Sequence, residues 1–154
     1  EVTGVDASLA GLRKAERLAR ERGFKVRWLH GDMAHLPFDG AFDLVYSCGA
    51  IHYVSRRERA RLFPRLKALT LPGGYHACIV FTDRAIYREK GEIIDYFIPG
   101  ELARLYANWL IPRIEEQTIA CSQDGTPHHH SVEVVIARAV GAGAIPDDRA
   151  PLWE

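Results

Sequence analysis

The sequence predicts an α/β fold on a mainly parallel sheet, and three observations lead there. Short apolar, β-branched segments alternate with stretches of helical periodicity, the pattern of strands joined by crossover helices. Two successive segments of this kind each deliver an acid just past a strand, Asp6 and Asp32, at the sheet edge where open parallel sheets bind ligands. The last two apolar segments are linked by the turn-rich run Ser122 to Pro127, which predicts a closing antiparallel hairpin.

Taken in order, Val2 to Asp6 reads as a strand. Ser8 then caps a helix with the apolar stripe Leu9, Leu12, Ala15 and Ala19, stopped by Gly23. Val26 to Leu29 is the second strand, and Gly31, Asp32 and Met33 follow it. Phe42 to Tyr46 is nearly continuous in apolar character, as expected of a strand buried on both faces. Ser55 and Glu58 have capping-box spacing ahead of a helix that should bury Leu62, Leu66 and Leu69. Pro72-Gly73-Gly74 is expected to end that helix and turn the chain into the strand Tyr75 to Thr82.

Asp83 to Pro99 has mixed charge and scattered aromatics and reads as an irregular or short helical cover. A short helix from Gly100 to Ala107 precedes the strands Trp109 to Ala120 and His130 to Arg138. Residues 1–140 thus form one domain, and 141–154, with two prolines and little periodicity, a loose tail.

Composition narrows the function. Lys plus Arg equals Asp plus Glu at 20 each, so the chain has no net charge to draw it to nucleic acid or an anionic membrane. The arginines at 56, 57, 59, 61 and 65 fall in one helix with Glu58 and read as a solvated face. No apolar run approaches the ~20 residues of a membrane span. Cys48, Cys78 and Cys121 are odd in number, widely separated and form no metal-type pair, which points to reduced thiols and a cytoplasmic setting. A small-molecule partner is the expectation, with the oligomeric state open.

The acids at positions 6 and 32, the run Leu36-Pro37-Phe38 into Phe42-Asp43-Leu44-Val45, and the turn Leu71-Pro72-Gly73-Gly74 resemble the class I S-adenosylmethionine-dependent methyltransferases. Pro99-Gly100-Glu101-Leu102, Leu105-Tyr106, Trp109 and Gly125-Thr126-Pro127 with three histidines are similar to the tellurite-resistance and thiopurine-type branch. The resemblance implies a Rossmann-like methyltransferase fold with S-adenosyl-L-methionine as cofactor. It assigns cofactor contacts to Asp6, Ala7, Asp32, Met33 and Ser47: Asp6 to the ribose hydroxyls, Asp32 to the adenine amino group, and the Met33 backbone N–H to the adenine ring. The physical demand on Asp6 is plain, since one ionised carboxylate accepts both donors of a vicinal diol. Asp39 and Asp43 read as turn and strand-entry residues. The family's glycine-rich loop, with its first strand and helix, is not in this chain, which begins at Glu1 without Met; a partial chain is the expectation.

A methyl group on a sulfonium is already electrophilic, so the protein mainly aligns the acceptor and supplies a base only where a proton must leave. His52, after the third strand, is the candidate for acceptor positioning or proton removal, with Tyr53 as a pocket wall and His130 as a contact to a soft or anionic acceptor. For His52 the competing reading is packing alone, and for His130 a plain surface turn. A metal at His128, His129 and His130 is not expected. Neighbours on a strand face opposite ways, so only His128 and His130 share a side, and spacing supplies no third ligand, although His30, His35 and His76 could converge. Two other readings stay open: a non-catalytic remnant or binding module of this fold, and a nicotinamide-dependent oxidoreductase using Asp6 on an adenosine ribose.

Overall fold

The computed structural model describes residues 1–35, 40–84, 87, 94–122 and 125–141. Two compact units, 1–40 and 41–154, divide the chain where the sequence reads one domain. Leu36-Pro37-Phe38, Asp39 and nearly all of the tail lie outside the described residues.

The first unit is a strand–helix–strand crossover. Strand β1 (Val2–Asp6) pairs in parallel with β2 (Val26–His30), Asp6 opposite His30. Helix α1 (Leu9–Glu21) joins them, and the Ser8 side chain caps it by accepting from the Gly11 N–H at 3.1 Å. At its far end Gly23 stands at φ +72°, the Gly23 N–H reaches the Arg20 carbonyl at 3.1 Å, and the Phe24 N–H reaches that of Ala19 at 2.9 Å. This is the Schellman closure that a left-handed glycine permits. Of the expected apolar stripe only Leu12 is buried; Leu9, at the first helical position, is 52% exposed.

The second unit is a four-stranded mixed sheet in the order β3-β4-β6-β5. Strand β3 (Phe42–Cys48) runs parallel to β4 (Thr70–Phe81), whereas β6 (His128–Arg138) lies antiparallel between β4 and β5 (Leu110–Cys121). The antiparallel hairpin is therefore where the sequence puts it. Burial on both faces of β3 is not observed: Leu44 and Tyr46 are 56% and 67% exposed. Among the described residues β3 has one ladder neighbour, and its Leu44/Tyr46 face carries no cover.

Helix α2 (Arg56–Ala68) begins with the expected capping box, the Ser55 hydroxyl accepting from the Glu58 N–H and the Glu58 carboxylate accepting from the Ser55 N–H, each at 3.3 Å. It ends at Leu69, before the Pro72-Gly73-Gly74 turn. Thr70 already pairs with Phe42 and Tyr75 pairs with Leu44, so the turn is a bulge inside β4. The bulge is tied down where Gly73 N–H reaches the Ala139 carbonyl and Ala139 N–H that of Gly74, at 3.0 and 2.8 Å. A side chain at Gly74 would stand 2.9 Å from the Asp43 carbonyl, which fixes glycine there.

Helix α2 buries Leu62, Phe63 and Leu66, and with them Arg59, which is 1% exposed. The solvated-face reading thus fails at Arg59, while Arg56, Arg57, Arg61 and Arg65 are exposed. Arg59 crosses to the segment 94–97: Nε donates to the Val54 carbonyl at 3.0 Å, Nη2 to the Asp95 carbonyl, and Nη1 to Glu101 at 2.9 Å, with the guanidinium 3.8 Å from the Phe97 ring centroid. Glu101 opens the short helix α3 (Glu101–Leu105). Behind the sheet, the Tyr106 hydroxyl donates to Nδ1 of His76 at 2.9 Å, Nε2 of His76 donates to Thr70 Oγ1 at 2.8 Å, and Thr70 donates to the Leu66 carbonyl at 2.8 Å. Each buried polar atom in that chain has its partner, as a core requires. No helix among the described residues is long and apolar enough to cross a membrane.

Candidate functional site

In the first unit the two acids stand at the carboxyl ends of adjacent parallel strands. Asp6 is the last residue of β1, and its Oδ1 accepts from the Ser8 N–H at 2.7 Å. Its Oδ2 faces Gly11 so closely that a Cβ there would lie 3.2 Å away. The carboxylate therefore sits over the first turn of α1, where backbone N–H groups favour negative charge. Ala7 follows, its carbonyl accepting from His30 Nε2 at 3.0 Å.

Asp32 lies two residues beyond β2, just before the short 3-10 turn Met33–His35. Its Oδ1 accepts from the Ala34 N–H at 2.9 Å and its Oδ2 contacts His35 Nδ1 at 3.2 Å. The Ala34 hydrogen bond, aided by His35, holds the Asp32 carboxyl below the ordinary carboxylate range, so it is ionised at neutral pH. Both acids remain largely open to solvent. They have local partners that orient them and lone pairs left over to bind with.

In the second unit, Ser47 is in β3 opposite Cys78. Beyond it a 3-10 turn, Ile51–Tyr53, carries His52 and Tyr53. His52 is 0% exposed and Tyr53 46%. The Phe81 backbone N–H donates to His52 Nδ1 at 3.2 Å, so the neutral ring carries its proton on Nε2. Among the described residues that buried Nε2 has no hydrogen-bond partner. Burial first, then the neighbouring His130 and Arg59, pull the His52 pKa down to about 4, and the ring is neutral at physiological pH.

His52 stacks on the Phe81 ring at 4.0 Å and 11°, and His130 stacks on the same ring at 4.1 Å and 16°. Two rings parallel to one at this distance must take its opposite faces. The structure thus joins His52 and His130 through Phe81, a residue the sequence reading passed over. The end of a strand running beside the hairpin is its sole sequence signal.

The histidine run splits as strand geometry demands: His128 and His130 are buried and His129 is exposed. His128 Nε2 and His130 Nε2 are 2.9 Å apart. The β5–β6 register sets Cys121 opposite His128, and one ligand atom from each of Cys121, His128 and His130 falls within 4.8 Å of the others. His30 and His35 belong to the first unit, and His76 is engaged with Thr70 and Tyr106.

Comparison with known proteins bears on the fold. Residues 1–74 match a family described as methyltransferase domain. TehB from Haemophilus influenzae superposes with a TM-score of 0.78 at 15% identity, over 90% of this chain and 50% of that one. A SAM-dependent methyltransferase from Methanosarcina mazei gives 0.75 at 20%, over 90% and 82%. The 1,6-didemethyltoxoflavin-N1-methyltransferase of Burkholderia thailandensis, solved with 1,6-didemethyltoxoflavin and S-adenosylhomocysteine bound, gives 0.65 at 22%, over 91% and 61%. No curated protein matches. The chain spans half the length of TehB. Its fold is that of the class I methyltransferases. The family match covers a little under half of the chain, and the likeness to TehB and the other solved structures is one of fold.

Proposed function

We propose that this chain serves S-adenosylmethionine-dependent methyl transfer to a small-molecule acceptor. The observation that carries the reading is the pair of oriented carboxylates, Asp6 and Asp32, at the carboxyl ends of β1 and β2. A diol and an exocyclic amine are both donor groups, and these residues fit them as acceptors. Asp6 would hold the ribose hydroxyls with Ala7 beside it, Asp32 the adenine amino group, and the Met33 N–H the adenine ring. When bound, S-adenosylmethionine supplies a methyl group on an electrophilic sulfonium.

The acceptor side rests on His52, Tyr53 and His130. With Nδ1 accepting from Phe81 and the ring neutral, His52 has an N–H to offer through Nε2. That favours positioning an acceptor oxygen or anion over removing a proton, because a base needs a lone pair at the same atom. Tyr53, half-exposed beside His52, suits a pocket wall, and His130 on the other face of Phe81 suits an anionic or soft acceptor. A cytoplasmic setting accords with three cysteines of which none is in a disulfide.

Calorimetric titration with S-adenosylmethionine and S-adenosylhomocysteine, with NADH as rival ligand, tests the reading. Saturable binding of the first two, weakened at least ~10-fold in Asp6→Ala and in Asp32→Ala, is expected from losing a charge-assisted hydrogen bond of about 1.5–3 kcal/mol. Preference for NADH would transfer the chain to the oxidoreductases. Absence of binding in this chain and in a form extended upstream would leave a non-catalytic remnant.

A further inference from the structure

We propose that Cys121, His128 and His130 form a zinc(II) site at the turn end of the β5–β6 hairpin. The cluster shares His130 with the acceptor side of the methyl-transfer reading, but it rests on the hairpin's own geometry and not on that reading. Its three side chains come from the last rung of the ladder, Cys121 facing His128, and from His130 two residues further along the same face. One thiolate and two imidazoles make a donor set that suits zinc and disfavours magnesium or calcium, which take oxygen ligands.

The imidazoles are oriented as ligands are. Nδ1–H of His128 donates to the Thr126 carbonyl at 2.7 Å, which leaves the lone pair on Nε2. A backbone carbonyl on the far nitrogen is the usual device that fixes the tautomer of a metal-bound histidine. Nε2 of His128 then faces Nε2 of His130 at 2.9 Å, with one proton between two nitrogens. Both rings are clamped: Tyr87 lies flat on His128 at 3.5 Å and 4°, and Phe81 lies on His130 at 4.1 Å.

Tetrahedral zinc with bonds of 2.0–2.1 Å to nitrogen needs the two nitrogens about 3.3 Å apart, so the pair opens by roughly 0.4 Å. The candidate sulfur and nitrogen atoms, within 4.8 Å, close by about an ångström at Cys121, the final residue of its strand. On binding, the thiol proton of Cys121 leaves to solvent and the proton bridging the imidazoles moves to Nδ1 of His130. Three protein ligands leave the fourth position to water, and Cys121 is half-buried, which gives that position a route to solvent.

The test uses the purified chain, reduced and metal-free, titrated with Zn²⁺ by calorimetry and with Co²⁺ by absorption. The expected result is one equivalent of each, a thiolate-to-cobalt charge-transfer band, and release of about one proton per zinc near neutral pH. Cys121→Ser should abolish the band, and Cys121→Ser and His128→Ala should each weaken zinc at least ~10-fold, while His129→Ala, on the opposite face, binds as the parent does. Circular dichroism of each variant separates lost ligands from a lost fold. Absence of saturable one-equivalent binding by the parent chain would overturn the proposal whatever the variants do, as would binding that survives in folded Cys121→Ser and His128→Ala.

Discussion

Arg59 Nη1 donates to Glu101 Oε1 at 2.9 Å, with 1% and 10% of the two side chains exposed. This buried pair ties α2 to α3, and through the Asp95 carbonyl it reaches the segment whose Asp95 N–H caps the His52 carbonyl at 2.9 Å. A buried pair adds little net stability over apolar residues of its size, but breaking it strands a charge. Desolvation already pulls the Arg59 pKa down, and Glu101 opposes that shift more than Asp95 does.

Glu101→Ala is therefore expected to destabilise the chain by about 3 kcal/mol, and the double variant Arg59→Met/Glu101→Leu by much less than the sum of the singles. Urea unfolding of the four proteins measures the coupling. A loss below about 1 kcal/mol in Glu101→Ala, or simple additivity, would show that the pair does not hold these helices together.

Legibility followed the range of the interactions. The Ser8 cap, the Gly23 stop and the Ser55/Glu58 box each rest on residues within a few positions of one another, and all three stand where the sequence puts them. Asp6 and Asp32 were equally readable, because a strand end is a local feature. Arg59 was not: its partners, Asp95 and Glu101, lie 36 and 42 positions on, and nothing within its own helix marks it as buried. The Cys121–His128 rung depends on hairpin register, and the His52–Phe81–His130 stack on three elements distant in sequence. Apolar β3 residues remain exposed because burial belongs to neighbours, not to the strand itself.

Acid should unfold the second unit well before its carboxylates titrate fully. His52 and His76 both have pKa values lowered to about 4, chiefly by burial, against 6.5 when unfolded. Between those values the unfolded chain holds more protons than the folded one, so stability rises with pH there; it is complete above about 6.5 and lost as pH falls towards 4. Each shift corresponds to roughly 3 kcal/mol, and two of them rival the whole stability of a marginal domain. Urea midpoints across this window should fall steeply, and the His52 ring resonances should stay those of a neutral imidazole above about pH 5. A His52 titration near 6.5 in the folded protein would refute the account.

Glu133 carries the opposite sign. It is 6% exposed in β6, its Oε2 has no partner among the described residues, and it faces Glu116 directly across the β5–β6 ladder. Burial, then Glu116 and Glu101, push its pKa up from 4.5, with Arg84 opposing. A carboxyl raised on folding binds its proton more tightly in the native state, so its contribution to stability declines as pH rises through and beyond the unfolded value. Glu133→Gln mimics the protonated form at every pH. It should raise stability by about 1 kcal/mol at about pH 8, the scale of a like-charge cross-strand pair relieved, and by less at about pH 5, where the chain is still folded and more of Glu133 is protonated. Chemical denaturation of parent and variant at the two pH values decides it. A gain that is the same at both would mean that packing, and not the buried charge opposite Glu116, sets the cost of this residue.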